Sequence, residues 1–248
     1  MTALSINLNK IALIRNSREG NYPNILDFAN TCIDCGVDGI TVHPRPDQRH
    51  IRSADVRQLA QLVAPLDEVE FNIEGNPFAD PCGEYPGLIA LVEETLPEQC
   101  TLVPDSDSQL TSDHGFDLSL QGQQLMPIID QIKAMGVRVS LFMDPDPEQI
   151  KRAAEVGADR IELYTGPFAA AWGTDALETI FAQHLQAAEL AESLGLGVNA
   201  GHDLNLENLG KFASIPGLLE VSIGHAFTVD SLKMGMIPAL RAYQALLA

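Results

Sequence analysis

The residues best suited to chemistry are gathered in DGITVHPRPDQRHI, positions 38–51. The segment opens with Ile40 and Val42 alternating with Thr41 and His43, the period-2 pattern of a pleated strand, and stops at Pro44, which has no backbone N–H to give a ladder. Arg45, Arg49, His50 and Arg52 follow closely. An imidazole at a strand end moves protons near neutral pH, and guanidinium groups grip anions by paired hydrogen bonds. An anionic substrate handled by acid–base steps is the chemistry this spacing suits.

Other groups extend the set. Glu74 and Glu162 end two further apolar stretches, where partial desolvation raises a carboxylate pKa and makes it a stronger base. His202 and His225 follow two more, in Asn199-Ala200-Gly201-His202 and Ile223-Gly224-His225, whose glycines would let backbone N–H groups approach a phosphate. His43, Glu74, Glu162 and His202 could ligate a metal by type. No H-x-H or H-E-x-x-H spacing accompanies them, so no metal is expected. His184 reads as a surface residue of a long helical stretch, and His114 lies in a polar connection without an assignable role.

These groups need a frame, and the chain supplies a repeating one. Short apolar strands are predicted at 4–10, 38–43, 69–74, 100–104, 137–142, 160–164, 196–200 and 219–223. Helical patterns fall near 24–35, 54–63, 86–96, 123–135, 147–156, 174–194, 206–212 and 231–246. Gly36, Gly136, Gly157, Gly195 and Gly217 separate helices from the next strand, where a left-handed residue is wanted. Asp146-Pro147 reads as a helix cap followed by proline at the first helical position. Eight strand–helix units predict an α/β fold, a (β/α)8 TIM barrel forming a single domain over 1–248, with the active site at the C-terminal ends of the strands. A doubly wound sheet is the alternative, weakened by the lack of G-x-G-x-x-G and of a P-loop.

Strand parity divides the residues. Ile6, Leu8, Ile40, Val42, Phe71, Ile73, Ile161, Leu163, Val221 and Ile223 suit the helix-facing side. The opposite parity holds Asn7, Asn9, Thr41, His43, Asn72, Glu74, Glu162, Tyr164, Asn199 and Ser222, a polar ring where barrels usually carry branched apolar side chains. The connections at 75–85 and 105–122 are long enough to be lids or binding loops.

Composition excludes several function classes. A net charge of −19 opposes nucleic-acid binding. Residues 1–57 nonetheless hold seven of fifteen Lys and Arg but six of thirty-four acids, so cationic groups concentrate around the segment at 38–51. No apolar run suits a membrane span and the first residues do not resemble a signal peptide, so a cytoplasmic protein is expected. Cys32, Cys35, Cys82 and Cys100 read as free thiols.

In its ordered segments the chain resembles the pyridoxine 5′-phosphate synthase family of vitamin B6 biosynthesis. The likeness rests on Asn7-Leu8-Asn9, Ile11-Ala12, Arg15-Asn16, DGITVHPRPDQRHI, Asn72-Ile73-Glu74 and Leu102-Val103-Pro104. It continues in Val139-Ser140-Leu141-Phe142, Arg160-Ile161-Glu162, Val198 to His202 and Ile223 to Ala226. The resemblance implies a cofactor-free condensation of 1-deoxy-D-xylulose 5-phosphate with 3-amino-2-oxopropyl phosphate, giving pyridoxine 5′-phosphate, inorganic phosphate and water. It implies His43 and Glu74 as proton acceptors, His202 as proton donor and Glu162 as a charge-stabilising carboxylate. It places Arg45, His50 and Thr111 on the sugar phosphate, and Asn7, Arg18, Gly224 and His225 on the amino-ketone phosphate. It also implies a homo-octamer.

Three features depart from the family pattern. Asn9-Lys10 replaces Asp-His, Asp203 replaces Gly, and the stretch before Glu74 is about four residues longer. Asn9, Lys10 and Asp203 are kept as substrate-binding positions. Two alternatives stand beside the synthase: a Schiff-base aldolase using Lys10, and a non-catalytic barrel that binds phosphorylated metabolites. Lys10 shares the parity of Ile6 and Leu8, which turns it toward the helices and against the aldolase.

Overall fold

The computed structural model describes residues 2–106 and 108–248. In chain order the elements are β1 (Ala3–Asn7), α1 (Asn9–Asn16), α2 (Ile25–Asp34), β2 (Gly39–Val42), α3 (Ser53–Val63), β3 (Glu70–Gly75), α4 (Leu88–Thr95) and β4 (Gln99–Leu102). There follow α5 (Leu118–Ala134), β5 (Arg138–Met143), α6 (Pro147–Glu155), β6 (Arg160–Tyr164), α7 (Gly166–Ala171), α8 (Leu177–Ser193) and β7 (Gly197–Gly201). The chain ends with α9 (Leu209–Phe212), β8 (Leu218–Ile223), α10 (His225–Met234) and α11 (Met236–Leu247). The eight strands pair in parallel and in sequence order, and β8 closes on β1, making the expected TIM barrel.

Local chemistry sets the boundaries. Asn24 caps α2 by accepting from the Leu26 N–H, and Asp146 caps α6 by accepting from Glu148 and Gln149 N–H with Pro147 at the first helical position. Gly36, Gly136, Gly157, Gly195 and Gly217 all take φ between +76° and +88°, the left-handed turn that redirects each helix into its next strand.

Ile6, Ile40, Phe71, Ile73, Ile161, Leu163, Val221 and Ile223 are buried between barrel and helices, as their parity predicts. Each such side chain contributes about 1.5–3 kcal/mol on burial. The polar parity lines the barrel interior, and its lower layers bond internally. The Ser5 and Thr41 hydroxyls lie 2.7 Å apart, the Asn72 amide donates to Thr41 and the Thr101 hydroxyl donates to Asn72. Below them Asn199, Gln99, Arg160 and Glu220 form a second set, and Arg138 pairs with Glu70. Thr41, Asn72 and Asn199 therefore serve the barrel, while the polar groups above them are free to serve a ligand.

Several expectations are corrected. The first strand ends at Asn7, and Asn9 already begins α1 where a strand to residue 10 was predicted. The helix predicted from 123 begins at Leu118, because Asp117 caps it by accepting from Ser119 N–H. The last helical stretch is two helices, broken at Gly235 with φ +92°. His184 is fully buried, its two ring nitrogens bonded to the Ile180 and Tyr164 carbonyls and its ring packed on Phe168 and Phe212. The expectation of a surface histidine failed because α8 is covered on that face by α7 and by Phe212.

Candidate active site

A cleft of about 300 Å³ opens at the C-terminal ends of the strands. Every strand end brings a residue: Asn7 from β1, Glu74 from β3, Phe142 from β5, Glu162 from β6 and Ser222 from β8, with His43, Val103 and His202 just beyond β2, β4 and β7. Of the positions expected from sequence, His43, Glu74, Glu162, His202, Asn7, Asn9, Lys10, Arg45, His50, Thr111, Asp203, Gly224 and His225 all line it. Arg18 does not. It sits exposed in the turn after α1, outside the lining residues, because α1 carries the chain away from the barrel mouth.

His43 is the centre of the arrangement. It is buried, with Nδ1 3.5 Å from Glu74 Oε2 and Nε2 3.2 Å from Asp105 Oδ2. Its backbone N–H donates to Asn9 Oδ1, and Asn9 N–H donates to Asn7 Oδ1, so the two asparagines set the path from β1 into α1 around the imidazole. The Asn7 amide also donates to Glu74 Oε2 at 3.3 Å. Asp105 was missed by sequence reading; its signal was its place directly after Val103-Pro104 at a strand end. It pairs with Arg45 and accepts from Ser112.

The segment at 44–52 is held by residues whose part was invisible in the sequence. Buried Arg15 pairs with both oxygens of Asp55 at 2.6 and 2.8 Å and donates to the His50 carbonyl. Asn16 donates to the carbonyls of Gln48, Arg49 and His50. This clamp fixes where Arg45 and His50 enter the cleft.

The electrostatics differ from group to group. Burial, reinforced by the charges of Glu74 and Glu220, raises the Glu162 pKa well above the ordinary carboxylate value. A raised pKa favours the protonated carboxyl, which can donate a hydrogen bond. Burial first, then His43, Arg45 and other cations, push His50 down to about 2. Its Nδ1 accepts from the Ile51 N–H, so the neutral ring carries its proton on Nε2. Lys10 reaches the cleft because the strand stops at Asn7 and the helical turn swings it inward, against the parity expectation. Burial and the charge of Arg45 lower its pKa.

Of the two long connections, only the one after β4 contributes lining residues: Leu110, Thr111 and Ser112. Residue 107 within it lies outside the described residues. The connection after β3 serves instead as a buttress, with the Asn76 amide donating to the Asp105 carbonyl at 2.6 Å. His114 is exposed and bonded to Asp113.

The family model described as "Pyridoxal phosphate biosynthesis protein PdxJ" matches residues 4–248. The chain belongs to that family. It is 56% identical over 243 residues to the pyridoxine 5′-phosphate synthase of Xanthomonas axonopodis pv. citri (strain 306), covering 98% of this chain and 95% of that protein. It is 53% identical to the corresponding synthase of Xylella fastidiosa (strain M23), again over 243 residues, covering 98% and 93%. Among solved structures, 3-hexulose-6-phosphate synthase from Salmonella typhimurium superposes with a TM-score of 0.65 at 16% identity, covering 99% of this chain and 98% of that chain. That likeness speaks to the barrel fold alone. Within the PdxJ family, the polar cleft described above is the part of this barrel that its chemistry distinguishes.

Proposed function

We propose that the chain acts as a pyridoxine 5′-phosphate synthase, joining 1-deoxy-D-xylulose 5-phosphate to 3-amino-2-oxopropyl phosphate by acid–base catalysis. The observation that carries the reading is His43, seated between the Glu74 and Asp105 carboxylates under a rim of Arg45, Lys10 and His50. Imine formation, enolisation, elimination of water and phosphate, and aldol-type ring closure are all proton transfers, each needing a placed base or acid.

The roles are those the family resemblance implies. Glu74 and His43 accept protons, His202 donates, and Glu162 in its protonated form offers a hydrogen bond to a developing negative oxygen. Arg45, His50 and Thr111 hold the sugar phosphate, with His50 donating through Nε2. Asn7, Gly224 and His225 hold the amino-ketone phosphate, at the N-terminus of α10. Arg18 has no role in this single-chain cleft. We further propose one domain over 1–248, a cytoplasmic location and a homo-oligomer, octameric by the family resemblance. Exposed Leu13, Ile14, Leu232, Met234 and Ile237 on α1, α10 and α11 support association between copies.

The test is turnover. Chelator-treated protein given both substrates should form the pyridine chromophore of pyridoxine 5′-phosphate and release one inorganic phosphate per ring, with neither substrate sufficing alone. Binding of both substrates without product would favour the non-catalytic barrel and remove the proposal.

A further inference from the structure

Asp203 is where the chain departs from the family pattern, and the structure gives it a definite partner. His202 Nδ1 lies 2.9 Å from Asp203 Oδ2, while Nε2 lies 2.7 Å from the Thr111 hydroxyl. The backbone needed for this is unusual: His202 takes φ +93°, a conformation disfavoured for a residue with a side chain. The loop is tied in that shape. The Thr165 hydroxyl donates to the Gly201 carbonyl at 2.6 Å and accepts from the Asp203 N–H at 3.4 Å, and the Asn208 amide donates to the Asp203 carbonyl at 3.2 Å.

A carboxylate can only accept, so Nδ1 of His202 must carry a proton. In the neutral ring Nε2 is then bare and faces the cleft, where it can accept from the Thr111 hydroxyl. The hydrogen bond from His202 is the largest cause of a lowered Asp203 pKa, ahead of the charges of His202 and His225. The ring also lies near Tyr164, 5.4 Å away between centroids, and Phe142 at 6.5 Å. Asp203 is therefore the only carboxylate bonded to this imidazole among the described residues.

We propose that Asp203 is a positioning residue, fixing the orientation and the tautomer of His202 so that Nε2 is the nitrogen that exchanges a proton with the cleft. The assignment deepens the synthase reading and rests on it for the identity of the reaction. It replaces a direct substrate contact at this position with an action through His202.

The experiment has an arm that does not depend on turnover. The carbethoxylation profile of His202 with diethyl pyrocarbonate at about pH 7, read by peptide mass mapping over time, follows the bare Nε2 of the neutral ring. Its rate should fall severalfold in Asp203→Asn, whose amide can donate to Nδ1 and leave the proton on Nε2. In the turnover arm, Asp203→Gly should lower kcat by roughly 10–100-fold with the KM of both substrates within about twofold. Asp203→Asn, whose amide can donate to Nδ1 and hold the opposite tautomer, should be at least as impaired, and Asp203→Glu should recover part of the loss. An unchanged carbethoxylation profile in Asp203→Asn would overturn the proposal, as would a raised KM with kcat retained. If the wild-type protein makes no pyridoxine 5′-phosphate, the synthase reading fails while the carbethoxylation profile still decides the His202–Asp203 coupling.

Discussion

Glu162 places its carboxylate where a side chain on Gly201 would begin. A Cβ at residue 201 would meet Glu162 Oε1, and the Ser222 carbonyl would stand 3.1 Å from it on the other side. The glycine on β7 thus leaves room for the buried acid on β6. Gly201→Ala should fold, because the Glu162 tip can move, but the displaced carboxyl should cost kcat roughly tenfold to a hundredfold. Steady-state kinetics beside a thermal melt separates the two effects; a fully active alanine variant would show that the placement of Glu162 is immaterial.

Arg45 is buried and paired with Asp105, and it also donates to the backbone of the connection after β4. Its guanidinium is thereby pointed at the cleft before any ligand arrives. Arg45→Met should raise the KM for 1-deoxy-D-xylulose 5-phosphate about tenfold or more, since a charged hydrogen bond contributes about 1.5–3 kcal/mol. An unchanged KM would move the sugar phosphate elsewhere in the cleft.

Lys10 presents the sharpest choice between reactions, because the structure turns it into the cleft and lowers its pKa. Its place beside Arg45 suits an ammonium that contacts a phosphate or hydroxyl, and a dianionic substrate would favour the charged form. Borohydride added with either ketone substrate should leave the protein mass unchanged. Lys10→His should keep more activity than Lys10→Ala. A reduced adduct mapped to Lys10 would establish the Schiff-base aldolase instead.

Glu220 carries a stability signature at the far end of the barrel. Burial, only partly offset by Arg160 and added to by the charge of Glu70, raises its pKa to about 7 from an ordinary 4.5. The folded chain then holds this proton more tightly than the unfolded chain. Its contribution is fully present below about pH 4.5 and is lost as pH rises through about 7. Glu220→Gln imitates the protonated state, so the variant should gain on wild type between pH 5 and pH 8, by on the order of 3 kcal/mol. Paired melts at the two pH values check this, and a gap that does not widen with pH would contradict it.

The barrel was legible because its signals are local. Period-2 apolar stretches, capping Asp146-Pro147 and left-handed glycines such as Gly157 each act within a few residues. The polar interior was legible for the same reason, since parity alone turns Asn72 and Glu162 inward. What stayed hidden depends on distant pairing. Nothing near Arg15 in the chain announces that it will grip Asp55 forty residues on. Asp105 gains its meaning only from His43 and Arg45, and His184 only from the carbonyls of Ile180 and Tyr164. Lys10 was misplaced because the strand stops at Asn7 and α1 begins at Asn9, so strand parity no longer governs which way residue 10 faces.

Glu74 is the proposed base on which the proton transfers turn, bonded by Asn7 and facing His43 Nδ1. Gln at this position keeps the size and the hydrogen-bonding shape but cannot take a proton. The decisive measurement is therefore the kcat and substrate affinity of Glu74→Gln beside wild type, with both substrates present. Acid–base condensation predicts kcat lower by roughly 10²–10⁴-fold while both substrates still bind. Retained kcat with weakened binding would contradict it and leave Glu74 a positioning group in a cleft whose base lies elsewhere.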